Sequence, residues 1–167
     1  MRPTVRVLVI DDEPDVLLLC RVNLEFAGHE VVGVADPDRG LELAIHDPPD
    51  VVVLDVMLPS RDGLSVLREL SAHPATRRVP VVLLTARTRA IDRLRGWEAG
   101  CAAYVTKPFA PAELGETIQR VHTSSARQRR RLREATIEEL RRHVESPGSS
   151  GGDRSPERRR PTSETAT

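Results

Sequence analysis

The residues able to do chemistry in this chain stand at the ends of its most apolar runs. Asp11, Asp12 and Glu13 follow the run Val5–Ile10, Asp55 closes Val51–Asp55, Thr85 follows Val79–Leu84, and Lys107 comes two residues after Ala102–Val105. A carboxylate ending a Val-Val-Val-Leu run needs a partner, and Asp55 is too far from the next helix start, near Asp62, to cap it. Gathered at one edge, such carboxylates offer the oxygen ligands that Mg²⁺ (or Mn²⁺) takes, alongside phosphate oxygens and water. Asp55 held at that cation is able to attack a phosphoryl group and form an aspartyl phosphate. The cation and the Lys107 ammonium then offset charge on the phosphoryl oxygens, and Thr85 donates a hydrogen bond to them. Singly, each residue has a plainer reading. Asp12 and Glu13 suit the N-terminus of a helix, Thr85 a strand end, and Lys107 a solvated surface. Jointly they describe a phosphoacceptor site.

The elements that must carry these residues alternate regularly. Val5–Ile10, Glu30–Val34, Val51–Asp55, Val79–Leu84 and Ala102–Val105 read as strands, and the first, third and fourth are almost continuously Val, Leu and Ile, as parallel strands buried on both faces require. Between them lie helix-start signals at Pro14-Asp15, Asp36-Pro37, Asp62 and Pro111, and stop signals at Gly28 and Gly100. The reading is α/β: (βα)5 in a doubly wound five-stranded parallel sheet with right-handed crossovers, whose ligands bind at the carboxyl ends of the strands.

Composition sets the remaining bounds. The 167 residues suit one domain and an appendage; 39% are apolar and 30% charged. No apolar run approaches the roughly 18 residues of a membrane span, and no signal-peptide pattern follows Met1, so the expectation is a cytoplasmic protein without membrane contact. Cys20 and Cys101 lack metal-ligand spacing and sit in apolar segments, which predicts buried, reduced thiols. The net charge is zero, but residues 1–120 carry 14 basic and 18 acidic side chains against 11 and 7 in residues 121–167. Of the 25 basic residues, Lys107 is the single lysine. Domain boundaries are expected at 1–124 for the sheet domain, 125–145 for an Arg-rich helical extension able to continue the fifth helix, and 146–167 for a disordered Ser-, Pro-, Gly- and Arg-rich tail.

The segments VLVIDDEPD, VVVLDVMLPSRDGL, VVLLTAR and AAYVTKPF closely resemble the receiver domain of bacterial two-component response regulators, over about residues 4–122. The resemblance implies the flavodoxin-like strand order 2-1-3-4-5. It places the acidic pair on Asp11 and Asp12, the phosphoacceptor on Asp55, the switch hydroxyl on Thr85, the switch aromatic on Tyr104 and the phosphate-binding lysine on Lys107. It also implies a metal held by Asp12, Asp55 and the backbone carbonyl of Met57, with Asp11 in the acidic cluster, and a cis peptide between Lys107 and Pro108. The partners it implies are a sensor histidine kinase or phosphotransfer protein and a protein effector. Two departures stand out: Ala102-Ala103 precedes the switch tyrosine where an acid is common, and Trp97 replaces a smaller aliphatic residue in the fourth helix. Both put a standard dimer through the fourth helix, fifth strand and fifth helix in doubt.

Two rival readings fare worse. A phosphatase of the haloacid dehalogenase type needs a second Asp two residues after its nucleophile, where this chain has Met57, so the reading is a switch and not an enzyme. A DNA-binding regulator acting through the tail lacks a helix-turn-helix pattern, zinc ligands and aromatic residues there, so no specific DNA binding is expected. Gly151-Gly152-Asp153 matches only the first letters of the diguanylate cyclase signature and reads as linker.

Overall fold

The computed structural model describes residues 2–146, and the expected tail beyond Ser146 lies outside them. Five strands alternate with helices: β1 Arg6–Ile10, α1 Pro14–Phe26, β2 Glu30–Val34, α2 Pro37–His46, β3 Val51–Leu54, α3 Gly63–Ala72, β4 Val81–Thr85, α4 Ala90–Ala99, β5 Ala103–Thr106 and α5 Pro111–Thr123. The strands form one parallel sheet in the order β2-β1-β3-β4-β5. The expected α/β architecture and strand order are those observed.

Period-two alternation divides each central strand between two cores. Val7, Val9, Val51, Val53, Val82 and Leu84 pack with α1 and α5 on one face, through Leu24, Leu114 and Ile118 among others. Leu8, Ile10, Val52, Leu54 and Leu83 pack with α2, α3 and α4 on the other, through Ala44, Leu67 and Trp97. β3 and β4 are buried along their whole length. β4 begins two residues later than the expected Val79, at Val81, because Pro80 has no N–H to contribute and the ladder starts after it; the strand ends at Thr85. Helix caps are largely those read from sequence: Asp36 accepts from the N–H groups of Asp38 and Arg39, Asp62 from that of Leu64, and Gly100 closes α4 at φ 111°.

The Arg-rich extension departs from expectation. It does not continue α5. Ser124 and Ser125 are both extended, and a separate helix α6, Ala126–Glu145, starts at Ser125. The break is chemical: the Ser125 hydroxyl accepts from the N–H of Gln128, and the Gln128 side chain accepts from the N–H of Ser125, a reciprocal capping box. Arg129 then reaches back to the carbonyls of Val121, Ser124 and Arg78. The helix lies along α4, with Ile137 and Leu140 against the core that contains Trp97 and with Arg141 paired to Glu98 at 2.8 Å.

Candidate functional site

The parallel register brings the strand ends to one edge. Asp11 and Asp55 directly follow β1 and β3, whose last paired residues are Ile10 and Leu54, and the N–H of Asp55 donates to the Ile10 carbonyl at 3.0 Å. Both carboxylates are buried, Asp11 being 1% and Asp55 3% exposed. One oxygen of each is held by a backbone turn: Asp11 Oδ1 accepts from the N–H of Glu13, and Asp55 Oδ1 from that of Met57, each at 2.9 Å. The second oxygens face Lys107, whose Nζ lies 2.7 Å from Asp11 Oδ2 and 2.9 Å from Asp55 Oδ2. Lys107 is aimed there by a loop whose first step, the Lys107–Pro108 peptide, is cis, as the sequence resemblance implies.

The electrostatics follow from burial. Desolvation raises the pKa of Asp11, and the Lys107 ammonium offsets only part of that rise. Burial alone would lower the pKa of Lys107, but its close ion pairs with Asp11 and Asp55 outweigh burial and raise it. The lysine is therefore a fixed cation at any physiological pH. Asp12 is half-buried beside the pair, and one oxygen from each of Asp11, Asp12 and Asp55 falls within 4.8 Å of the others. Asp11 Oδ2 is buried with no aligned hydrogen bond although the ammonium is close. An all-oxygen donor set with one such orphaned oxygen fits a hard divalent cation.

Among the residues singled out from sequence, Asp11, Asp12, Asp55 and Lys107 come together. Met57 stands at the same rim, where its N–H engages Asp55. Thr85 ends β4, fully buried, and its Oγ1 accepts from the N–H of Arg87 at 3.3 Å. Tyr104 is set apart from the carboxylates: its hydroxyl donates to the Arg87 carbonyl at 2.7 Å, and the Arg93 guanidinium lies 5.3 Å from its ring centroid. Thr85 and Tyr104 thus hold the same residue of the β4–α4 loop from two sides.

Two contributors escaped sequence reading. Glu13, grouped in sequence with the strand-end acids but given no part in holding the lysine, is a third carboxylate on Lys107 at 3.2 Å. Gly63 lets the start of α3 press on the strand end: a Cβ there would stand 2.2 Å from the Asp55 carbonyl oxygen and 2.7 Å from Val56 Cα. The Asp62-Gly63 pair, a cap followed by a residue without a side chain, was the available signal.

A family model for the response regulator receiver domain matches residues 7–119. The chain belongs to that family. Among curated relatives, this receiver is 36% identical over 116 residues to the alkaline phosphatase synthesis transcriptional regulatory protein PhoP of Bacillus subtilis. The match covers 70% of this chain and 48% of PhoP. It is 39% identical over 109 residues to the DNA-binding dual master transcriptional regulator RpaA of a Synechocystis strain, covering 65% of this chain and 45% of RpaA. The chain therefore spans about half the length of the curated relatives it matches. Among solved structures it is similar to the receiver domain of sensor histidine kinase PA1611 from Pseudomonas aeruginosa PAO1. Identity is 34% and the TM-score 0.68, over 73% of this chain and all of that one, whose active-site cleft holds a coordinated magnesium ion.

Proposed function

We propose that this receiver accepts a phosphoryl group on Asp55 from the phosphohistidine of a sensor histidine kinase or phosphotransfer protein and relays the signal through a conformational switch. The observation that carries the reading is the pairing of a buried, backbone-held Asp55 carboxylate with the Lys107 ammonium at 2.9 Å, beside Asp11 and Asp12. In the transfer, an Asp55 oxygen attacks phosphorus as the donor's P–N bond breaks, and the imidazole leaves with the bonding electrons and takes up a proton. Lys107 and a Mg²⁺ or Mn²⁺ ion held by Asp11, Asp12, Asp55 and the Met57 carbonyl would supply the positive charge that the phosphoryl oxygens require. Lys107 exchanges its hold on the free carboxylate for the phosphoryl group, and Thr85 turns its hydroxyl toward the same group.

Persistence of the acyl phosphate follows from what the site lacks. Met57 occupies the position two residues beyond Asp55 where a rapid phosphatase uses an acid, so the domain works as a switch and not as a turnover enzyme. Output is proposed to run through a protein effector. No helix of the described residues is long and apolar enough to cross a membrane. The direct test is incubation of wild type and Asp55→Asn with acetyl phosphate and Mg²⁺, followed by intact-mass spectrometry. One phosphate adduct on the wild type and none on the variant is expected; equal labelling of both would remove Asp55 from the reaction.

A further inference from the structure

The helix α6 has the anatomy of a reversible contact. It carries no fully buried residue, and the half-buried side chains Arg129, Arg133, Thr136, Ile137, Leu140 and Val144 form a single stripe. Only Ile137 and Leu140 of that stripe reach the core of the domain, and one exposed ion pair, Arg141 with Glu98, secures the far end. On the other side of the contact, Trp97 is 6% exposed, and its indole N–H is buried without a hydrogen-bond acceptor. A covered apolar surface is gained, and a polar atom is stranded with it. Water reaching Trp97 would relieve that atom, so docking is opposed by part of its own burial.

The element that α6 grips is wired to the phosphoacceptor edge. Thr85 Oγ1 accepts from the N–H of Arg87, the Arg87 carbonyl accepts from the Tyr104 hydroxyl, and Arg93 of α4 covers the Tyr104 ring. Arg87 and Arg89 both pair with Asp92, a buried acid in the first turn of α4. A phosphoryl group on Asp55 that draws the Thr85 hydroxyl toward itself withdraws the acceptor from the Arg87 N–H, and the loop leading into α4 loses one of the two hydroxyls that hold it. The far end of α4 carries Trp97 and Glu98 against α6.

We infer that α6 is a strap that holds α4 in its unphosphorylated position, so that docking of α6 and phosphorylation of Asp55 oppose each other. The inference rests on the phosphoacceptor reading of Asp55 and adds a regulatory contact to it. Linkage makes the opposition reciprocal: whatever loosens α6 favours the phosphorylated arrangement, by the same factor as phosphorylation loosens α6. Because α6 is joined to α5 by the two extended residues Ser124 and Ser125, its release exposes the α4 surface without unfolding the sheet.

The test uses the full chain with Mg²⁺, with and without beryllofluoride, which mimics a phosphoryl group on an aspartate. Fluorine NMR reports whether the mimic is bound, hydrogen exchange reports protection of α6, and Trp97, the chain's one tryptophan, reports water access by a red shift of its emission. With the mimic bound, α6 amides should exchange at least tenfold faster and Trp97 emission should move to the red. Glu98→Arg should produce part of the same loosening without the mimic and bind the mimic several-fold more tightly, and the double variant Glu98→Arg, Arg141→Glu should restore both properties. Bound fluorine signal with unchanged α6 protection would overturn the strap and leave the phosphoacceptor reading standing. Absence of any bound fluorine signal would overturn both.

Discussion

Replacing Lys107 by methionine keeps a long apolar stem and removes the charge, and the geometry sets the cost. The ammonium lies 2.7 Å from Asp11, 2.9 Å from Asp55 and 3.2 Å from Glu13, on a side chain 11% exposed. Removing one partner of a buried pair costs about 3–5 kcal/mol. Two features reduce that figure here. Glu13 is exposed and screened by water, and Asp11, whose pKa burial already raises, takes up a proton more readily than an ordinary aspartate. The expected loss in metal-free buffer is therefore about 2–3 kcal/mol. Mg²⁺ should close much of the gap, because ammonium and cation compete for the same carboxylate oxygens and the variant binds the metal more tightly. A tenfold tighter site adds about 1.4 kcal/mol of relative stability once Mg²⁺ exceeds both dissociation constants. Urea unfolding followed through Trp97, in EDTA and in excess Mg²⁺, measures both quantities. A gap under about 0.5 kcal/mol in EDTA, or one that Mg²⁺ fails to narrow, would refute the assignment of Lys107 as counter-ion to the metal-binding carboxylates.

Three further outcomes follow from single residues. Gly63→Ala forces a methyl group against the Asp55 carbonyl and Val56 Cα, both backbone atoms, so it should cost about 1–3 kcal/mol in urea unfolding and weaken Mg²⁺ binding by calorimetry; an unaltered variant would show that α3 need not approach so closely. Tyr104, the chain's one tyrosine, is pushed up to about 12 by burial and the charge of Asp92. Its folded pKa lies above the unfolded value of about 10, so its contribution to stability is complete below about pH 10 and fades as pH rises toward 12; tyrosinate absorbance appearing near pH 10 in the folded protein would contradict its burial. Lys107→Arg should keep the fold but lose most of the beryllofluoride-induced NMR shifts at Thr85 and Tyr104, because a planar fork cannot replace a compact ammonium between two buried carboxylates; shifts matching the wild type would show that the sole lysine carries no special role.

The sheet was legible because its information is local. Continuous Val and Leu runs, aspartate caps and the glycine after α4 each act over a few residues, and parallel pairing then carries Asp11, Asp55, Thr85 and Lys107 to one edge whatever fills the loops between them. Glu13 and Gly63 were illegible for the opposite reason: their roles depend on distances to Lys107 and to the Asp55 carbonyl, across 94 residues of chain in the first case. The direction of α6 was half legible. Ser125 and Gln128 spell a capping box, yet the Arg and Glu pattern that follows suits a prolonged α5 equally well, and only the tertiary contacts of Arg129, Ile137 and Leu140 decide between them. Trp97, a departure from the family pattern when read alone, belongs to the buried cluster that α6 covers.

These features divide the molecule into a rigid half and a yielding one, and function uses the division. Asp55 and Asp11 hang from strands that are buried apart from Arg6 at the start of β1, and each has one oxygen pinned by a backbone N–H, so the phosphoacceptor geometry is set before any ligand arrives. From Thr85 onward the character changes: residues 86–89 are exposed, their position rests on the hydroxyls of Thr85 and Tyr104, and α6 holds α4 through a shallow stripe. A free-energy change created at the rigid end cannot be absorbed by β3 or β4, whose packing has no slack, and it is spent in the contacts that are weakest. In this fold those contacts lie along α4. A receiver with the same carboxylates but no α6 would respond there with less opposition, so the Arg-rich extension sets how strongly the domain resists its own activation.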